Sequence, residues 1–132
     1  MFSFIIVAVL ITGTGNGFGL NQKSAELFLP LSGTSCTLPL LPNTRTSHTV
    51  DNHILCGGDY ISGVRDSCRK WSPVTGSWDD LLTLDLWRER HVSWTPGNGT
   101  YLMGGAGSGT TTTLVKPDGT QEPGFPLKYD TE

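Results

Sequence analysis

Few side chains in this chain could do chemistry: three cysteines, three histidines, three tyrosines and a run of glycines near the amino terminus. Cys36, Cys56 and Cys68 contain no Cys-x-x-Cys pair, and no Cys/His cluster has zinc spacing. At most one intrachain disulfide can form among them, which leaves one thiol for another chain or segment. Asp51, Asp59, Asp79 and Asp80 lack the spacing of a calcium loop. The segment Gly13-Thr14-Gly15-Asn16-Gly17-Phe18-Gly19 looks like a phosphate cradle, but Gly-x-Gly-x-x-Gly would need glycine where Phe18 stands. Ser, His and Asp are present without a Gly-x-Ser-x-Gly elbow. We assign no catalytic residue, metal ligand or cofactor from these patterns. Asn98-Gly99-Thr100 is an N-glycosylation sequon in a predicted turn, which makes Asn98 a candidate acceptor if the chain enters the secretory route.

The elements that must carry these residues are short. The 132 residues include 17 Gly and 8 Pro, and only 16% are charged. This is the composition of strands joined by tight turns, because glycine supplies positive φ and proline fixes φ where a chain reverses. Net charge is −3 and no basic stripe exists, which excludes a nucleic-acid binder. The apolar run Met1 to Ile11 is too short to span a bilayer as a helix. Residues 1–12 read either as a signal peptide or as a first strand, since Ile5-Ile6-Val7 suits both.

Sliding the chain along itself by 43 residues superposes Pro30 on Pro73, Gly33 on Gly76, Leu38 on Leu81, Leu41 on Leu84, Arg45 on Arg88 and His48 on His91. The same offset puts Ile11 on Ile54, Gly15 on Gly58 and Phe28 on Trp71. A third copy follows a longer turn at Thr95 to Gly99, and Gly104-Gly105 then matches Gly57-Gly58. Each unit predicts four short antiparallel strands, the size of one propeller blade. In the middle unit these are Ser47 to Asp51, the run Ile54-Leu55-Cys56, a strand running into Trp71, and a looser Leu81 to Leu84. His53 is placed in a strand. Cys56 ends the second strand and Cys68 opens the third, so the two either form a disulfide or remain separate buried thiols. Cys36 should find no partner within that unit.

The order Arg-x-x-His (Arg45 to His48, Arg88 to His91), apolar strand, Gly-Gly, variable loop, aromatic and Pro-x-x-Gly-x-Trp resembles the kelch repeat. WD40 repeats have a similar period, and Trp78-Asp79 offers one Trp-Asp pair, but the chain has no Gly-His and its first unit carries Ser35-Cys36 there. The resemblance implies an all-β fold: an incomplete kelch-type β-propeller of four-stranded antiparallel blades. Its units are a partial repeat at 13–44, a complete one at 45–87 and a truncated one at 88–132. Gly57, Gly58, Gly104, Gly105, Trp71, Trp78, Arg45, Arg88, His48 and His91 become structural repeat positions, with the arginines holding carbonyls or a carboxylate at blade junctions. Kelch-like propellers also include galactose oxidase-like enzymes, whose copper is held by Tyr and His. Tyr60, Tyr101 and Tyr129 do not assemble such a motif, so no ligand is carried over.

The leading expectation is a noncatalytic protein-binding scaffold, secreted rather than cytoplasmic, with partner contacts on loops 16–23, 59–66 and 106–111. The alternatives are a portion of a secreted propeller enzyme and a truncated product without independent function. Both ends interrupt a unit, so the chain reads as a piece of a longer product, although open blade edges would also permit self-association.

Overall fold

The computed structural model describes residues 9–12, 23–58 and 66–129. Among them no helix occurs, and none is therefore long and apolar enough to cross a membrane. Within these described residues eleven strands form three antiparallel sheets in chain order. The first holds β1 (Val9–Thr12), β2 (Ala25–Leu29) and β3 (Thr34–Thr37). The second holds β4 (Thr49–Asp51), β5 (Ile54–Cys56), β6 (Ser67–Ser72) and β7 (Ser77–Thr83). The third holds β8 (Val92–Trp94), β9 (Thr100–Met103), β10 (Thr112–Val115) and β11 (Gln121–Pro123). The last unit thus has four strands, where the sequence reading expects a truncated one. Val9–Thr12 pairs with β2 as a strand, and residues 1–8 lie outside the described segments.

Turn chemistry sets the strand lengths. Asn52 and His53 both take positive φ (46° and 64°) between Asp51 and Ile54, which pair directly. That is a two-residue hairpin whose twist matches its strands. His53 is therefore an exposed turn residue, not a strand residue. Ser72 and Ser77 close the Pro73-to-Gly76 turn, and Leu29 and Thr34 close the equivalent Pro30-to-Gly33 turn. In both, the glycine N–H donates to the carbonyl of the residue before the proline. The fourth strand begins at Ser77 and takes in Trp78, earlier than the Leu81 start expected. Leu38 to Leu41, its expected counterpart, lies beyond the end of β3.

Register corrects one alignment. Leu55 faces Arg69 and Cys56 faces Cys68, while Ile11 faces Glu26 and Thr12 faces Ala25. Ile11 is therefore the counterpart of Leu55 and Thr12 that of Cys56, one residue away from the Ile11-on-Ile54 match. A one-residue slip exchanges the two faces of a strand.

The sheets stack through two apolar layers. Ala25 and Leu41 of the first unit pack with Leu55, Trp71 and Trp78 of the second. Ile54, Cys56, Cys68 and Leu84 of the second pack with Leu102 and Val115 of the third. Alternation along β5 sends Leu55 backward and its neighbours forward, so this strand is apolar on both faces. Trp71 and Trp78 face each other across β6 and β7 with ring centroids 5.4 Å apart, and the Trp78 indole N–H donates to the Pro39 carbonyl of the preceding unit.

Candidate functional site

The densest polar construction lies at the junctions between sheets, where Arg-x-x-His meets Gly-Gly. Arg45 and Arg88 are almost fully buried. Arg45 donates through Nη1 to the carbonyls of Gly57 (2.9 Å) and Ser67 (3.0 Å), and through Nη2 to Ser67 Oγ. Arg88 repeats this one unit on, donating through Nη1 to the Gly104 and Thr111 carbonyls and Ser108 Oγ, and through Nη2 to Thr111 Oγ1 and Thr113 Oγ1. A planar guanidinium can serve two strand ends at once because its donors form a rigid fork. Each arginine thereby ties the end of its unit's second strand to the start of the third. Burial pushes the Arg88 pKa below its ordinary value.

The histidines reach the other way. His48 Nε2 lies 2.7 Å from Thr12 Oγ1, and His91 Nε2 lies 2.8 Å from Thr49 Oγ1. Both bonds cross from one unit to the one before. Burial, with the Arg45 charge adding to it, lowers the His48 pKa to about 4; burial, Arg88 and His48 lower that of His91 to about 4. Both imidazoles are neutral at pH 7.

Glycine is required between these two groups. Gly57 and Gly58 have φ of 65° and 91°, and Gly104 and Gly105 have 63° and 88°. A Cβ on Gly57 would stand 2.4 Å from the Arg88 carbonyl oxygen of the next unit. One on Gly58 would stand 2.6 Å from the Thr46 carbonyl oxygen of its own. The Gly58 N–H donates to Arg88 O and the Arg90 N–H to Ser47 O, so backbone bonds lock the same contact.

Cys56 and Cys68 are directly opposed on β5 and β6 and are joined as a disulfide. Cys36 is a free, exposed thiol on β3. Asn98 is exposed in the β8–β9 turn, and Thr100 of its sequon is buried with Oγ1 2.8 Å from Thr95 Oγ1.

Of the three loops expected to carry contacts, 16–23 and 59–66 fall almost wholly outside the described residues. The third, 106–111, is tied down rather than loose. Ala106 and Glu89 exchange backbone bonds, Ser108 is buried and donates to the Gly104 carbonyl, and Arg88 donates to Ser108. Gly107 sits against the Trp87 ring, where a Cβ would come within 2.3 Å. Among the described residues no group of three His, Cys, Asp or Glu side chains comes together as a metal cluster.

Sequence reasoning did not anticipate an apolar groove of about 390 Å³ on the outer face of the third sheet. Trp94, Tyr101, Met103, Phe125 and Leu127 line it. The Trp94 and Tyr101 rings stack with centroids 6.4 Å apart along it. The alternation of β9 pointed to it, since Leu102 faces the core and its neighbours must face away.

No family model matches the chain, and no curated protein does. Among solved structures it is similar to one titled "Structure of YjhT", with a TM-score of 0.69 at 13% identity, covering 96% of this chain and 51% of that one. The likeness defines a propeller-like all-β fold. The chain spans about half the length of that structure.

Proposed function

We propose that this chain is a noncatalytic protein-binding scaffold, an arc of a kelch-type propeller that presents loops on a rigid stack of sheets. The observation that carries this reading is how its reactive side chains are used. Arg45, Arg88, His48 and His91 each bond to strand ends or to a threonine of the neighbouring unit, which is what a framework needs. Loop 106–111 fits such a role because it is held at both ends by the junction, so binding through it would cost little ordering entropy. The Cys56–Cys68 disulfide and the exposed sequon at Asn98 support a secreted protein, since disulfides persist in oxidising compartments.

The test is affinity enrichment from extracellular medium with the oxidised chain, comparing Thr110→Lys in the loop with Asp118→Ala in the exposed β10–β11 turn. A protein retained by the wild type and the Asp118 variant, and lost with the Thr110 variant, supports the reading. Retention indifferent to the loop, or turnover of a small molecule by the purified chain, overturns it.

A further inference from the structure

The β8–β9 turn departs from the repeat. Trp94 pairs with Tyr101 across the residues Thr95 to Thr100, whereas the equivalent Asp51 and Ile54 enclose only Asn52 and His53. The longer turn carries the sequon Asn98-Gly99-Thr100 and walls a hollow of about 650 Å³ at that end of the third sheet. The exposed Asn98 lines it together with Tyr101 and Leu114, which pair between β9 and β10, and with Lys116, Pro117 and Asp118 of the β10–β11 turn. Its volume is that of a small-ligand site, about 300–1,000 Å³.

The hollow is more polar in character than the groove with which it shares Tyr101. Tyr101 stands where the second unit has the buried Ile54, and it offers a ring face and a phenol in place of an aliphatic chain. Lys116 Nζ lies 3.1 Å from Glu122 Oε2, and an ammonium has three donors, so others remain for a ligand. Asp118 Oδ1 accepts from the Thr120 N–H and hydroxyl, which fixes the carboxylate at the edge. An aromatic face rimmed by a cation and an anion matches a sugar. The apolar C–H face of the sugar lies on the aromatic ring, and its hydroxyl and amide groups bond to the rim.

We propose that this hollow seats the first N-acetylglucosamine of a glycan attached to Asn98. The glycan's presence rests on the secreted reading above. In its attachment a bond forms from Asn98 Nδ2 to the anomeric carbon of the sugar. The bond from that carbon to the pyrophosphate of a polyprenol-linked oligosaccharide donor breaks, the lipid pyrophosphate leaves, and the amide proton passes to a base of the transferring enzyme. Thr100 is buried with its Oγ1 2.8 Å from Thr95 Oγ1, so transfer precedes the pairing of β9. Once attached, the sugar needs little intrinsic affinity, because a short tether holds it at an effective concentration on the order of millimolar or above. The chain itself thus carries what covers Tyr101 and Leu114.

The experiment sends the full chain through a eukaryotic secretory pathway with a cleavable leader ahead of Met1. Intact mass should show one N-glycan, lost in Asn98→Gln and kept in Thr100→Ser. An endoglycosidase then trims the glycan to one sugar, and circular dichroism checks that each form is folded. Nuclear Overhauser contacts should join the Tyr101 ring to the C–H protons of that sugar. Exchange of the Gly97 and Gly99 amides should be at least about threefold slower than in Asn98→Gln, as the seated sugar opposes local opening of the turn. Tyr101→Leu should keep the glycan and lose this protection, which attachment alone would preserve. A bare Asn98 in the secreted chain overturns the proposal. So does an attached sugar without contacts to Tyr101, or protection that survives Tyr101→Leu. The mass of the chain from its native source tests the secreted reading separately: a bare Asn98 there overturns that reading and leaves the seating of an attached sugar standing.

Discussion

His91 and Thr49 join side chains across the junction of the second and third units, Nε2 to Oγ1 at 2.8 Å, as His48 and Thr12 do at 2.7 Å across the junction before it. Both imidazoles are held neutral, with pKa values lowered from 6.5 to about 4, chiefly by burial. Unfolded histidine binds a proton near pH 6.5, so between that value and pH 4 the unfolded chain holds more protons than the folded one. Their contribution is therefore fully present above about pH 6.5 and declines as pH falls towards 4. Together the pair should lose roughly 3–5 kcal/mol across that window, allowing for partial solvent screening. Urea unfolding at pH 7, 5.5 and 4.5 measures it. A His91→Gln variant should lose about half of the pH dependence, and an unchanged slope would show that the pair does not titrate as described.

Gly57 and Gly76 share nearly the same φ, 65° and 66°, in opposite surroundings. Nothing lies within 4 Å of a Cβ on Gly76, so Gly76→Ala should cost only the left-handed strain of about 1–2 kcal/mol. Gly57→Ala adds a collision with the Arg88 backbone and the His91 ring and should cost at least about 2 kcal/mol more. Equal losses in denaturant midpoint would argue that the junction yields easily.

Arg88 is fully buried and serves five acceptors with its two terminal nitrogens. Arg88→Ala strands several of these acceptors and should destabilise by at least about 3 kcal/mol, at about 1–3 kcal/mol per unsatisfied buried group. Arg88→Lys should recover little, because an ammonium cannot span two strand ends as a fork does. Hydrogen exchange should show the loss concentrated at Gly104 to Thr113.

Trp71 joins the rear face of the second sheet to Ala25 and Leu41. Trp71→Ala should cost about 3–5 kcal/mol, the range for a large core aromatic. Its fluorescence offers a second readout: the emission of the wild type should shift to the red as the first two sheets separate. A loss comparable to that of an exposed residue would contradict its burial.

The Cys56–Cys68 bridge spans a sequence separation of 12 and should contribute roughly 3 kcal/mol by the loop-entropy relation. Peptide mapping of the protein purified without reductant should find this pair and an alkylatable Cys36. Linkage of Cys36 to either partner would contradict the pairing of β5 with β6.

Much of the fold was legible in the chain itself. An offset of 43 residues locates the hairpins at Pro30 and Pro73, the paired arginines and the paired histidines, because turn chemistry and buried charge tolerate few alternatives. The opposition of Cys56 and Cys68 followed from strand order alone. Register in the first unit did not. The identities cluster in the hairpin and the segment after it, and the offset changes by one residue before the intervening loop, so only backbone pairing shows that Ile11 stands where Leu55 does.

Tertiary structure also decided which residues meet across the junctions. A repeat marks His48 and His91 as equivalent but cannot name their partners, since Thr12 and Thr49 lie on different strands of their units. It marks Leu127 only as the third leucine of a series. That this leucine opens onto an exposed groove depends on stacking direction, and stacking direction is a property of sheets packed face to face, which local strand and turn preferences do not encode.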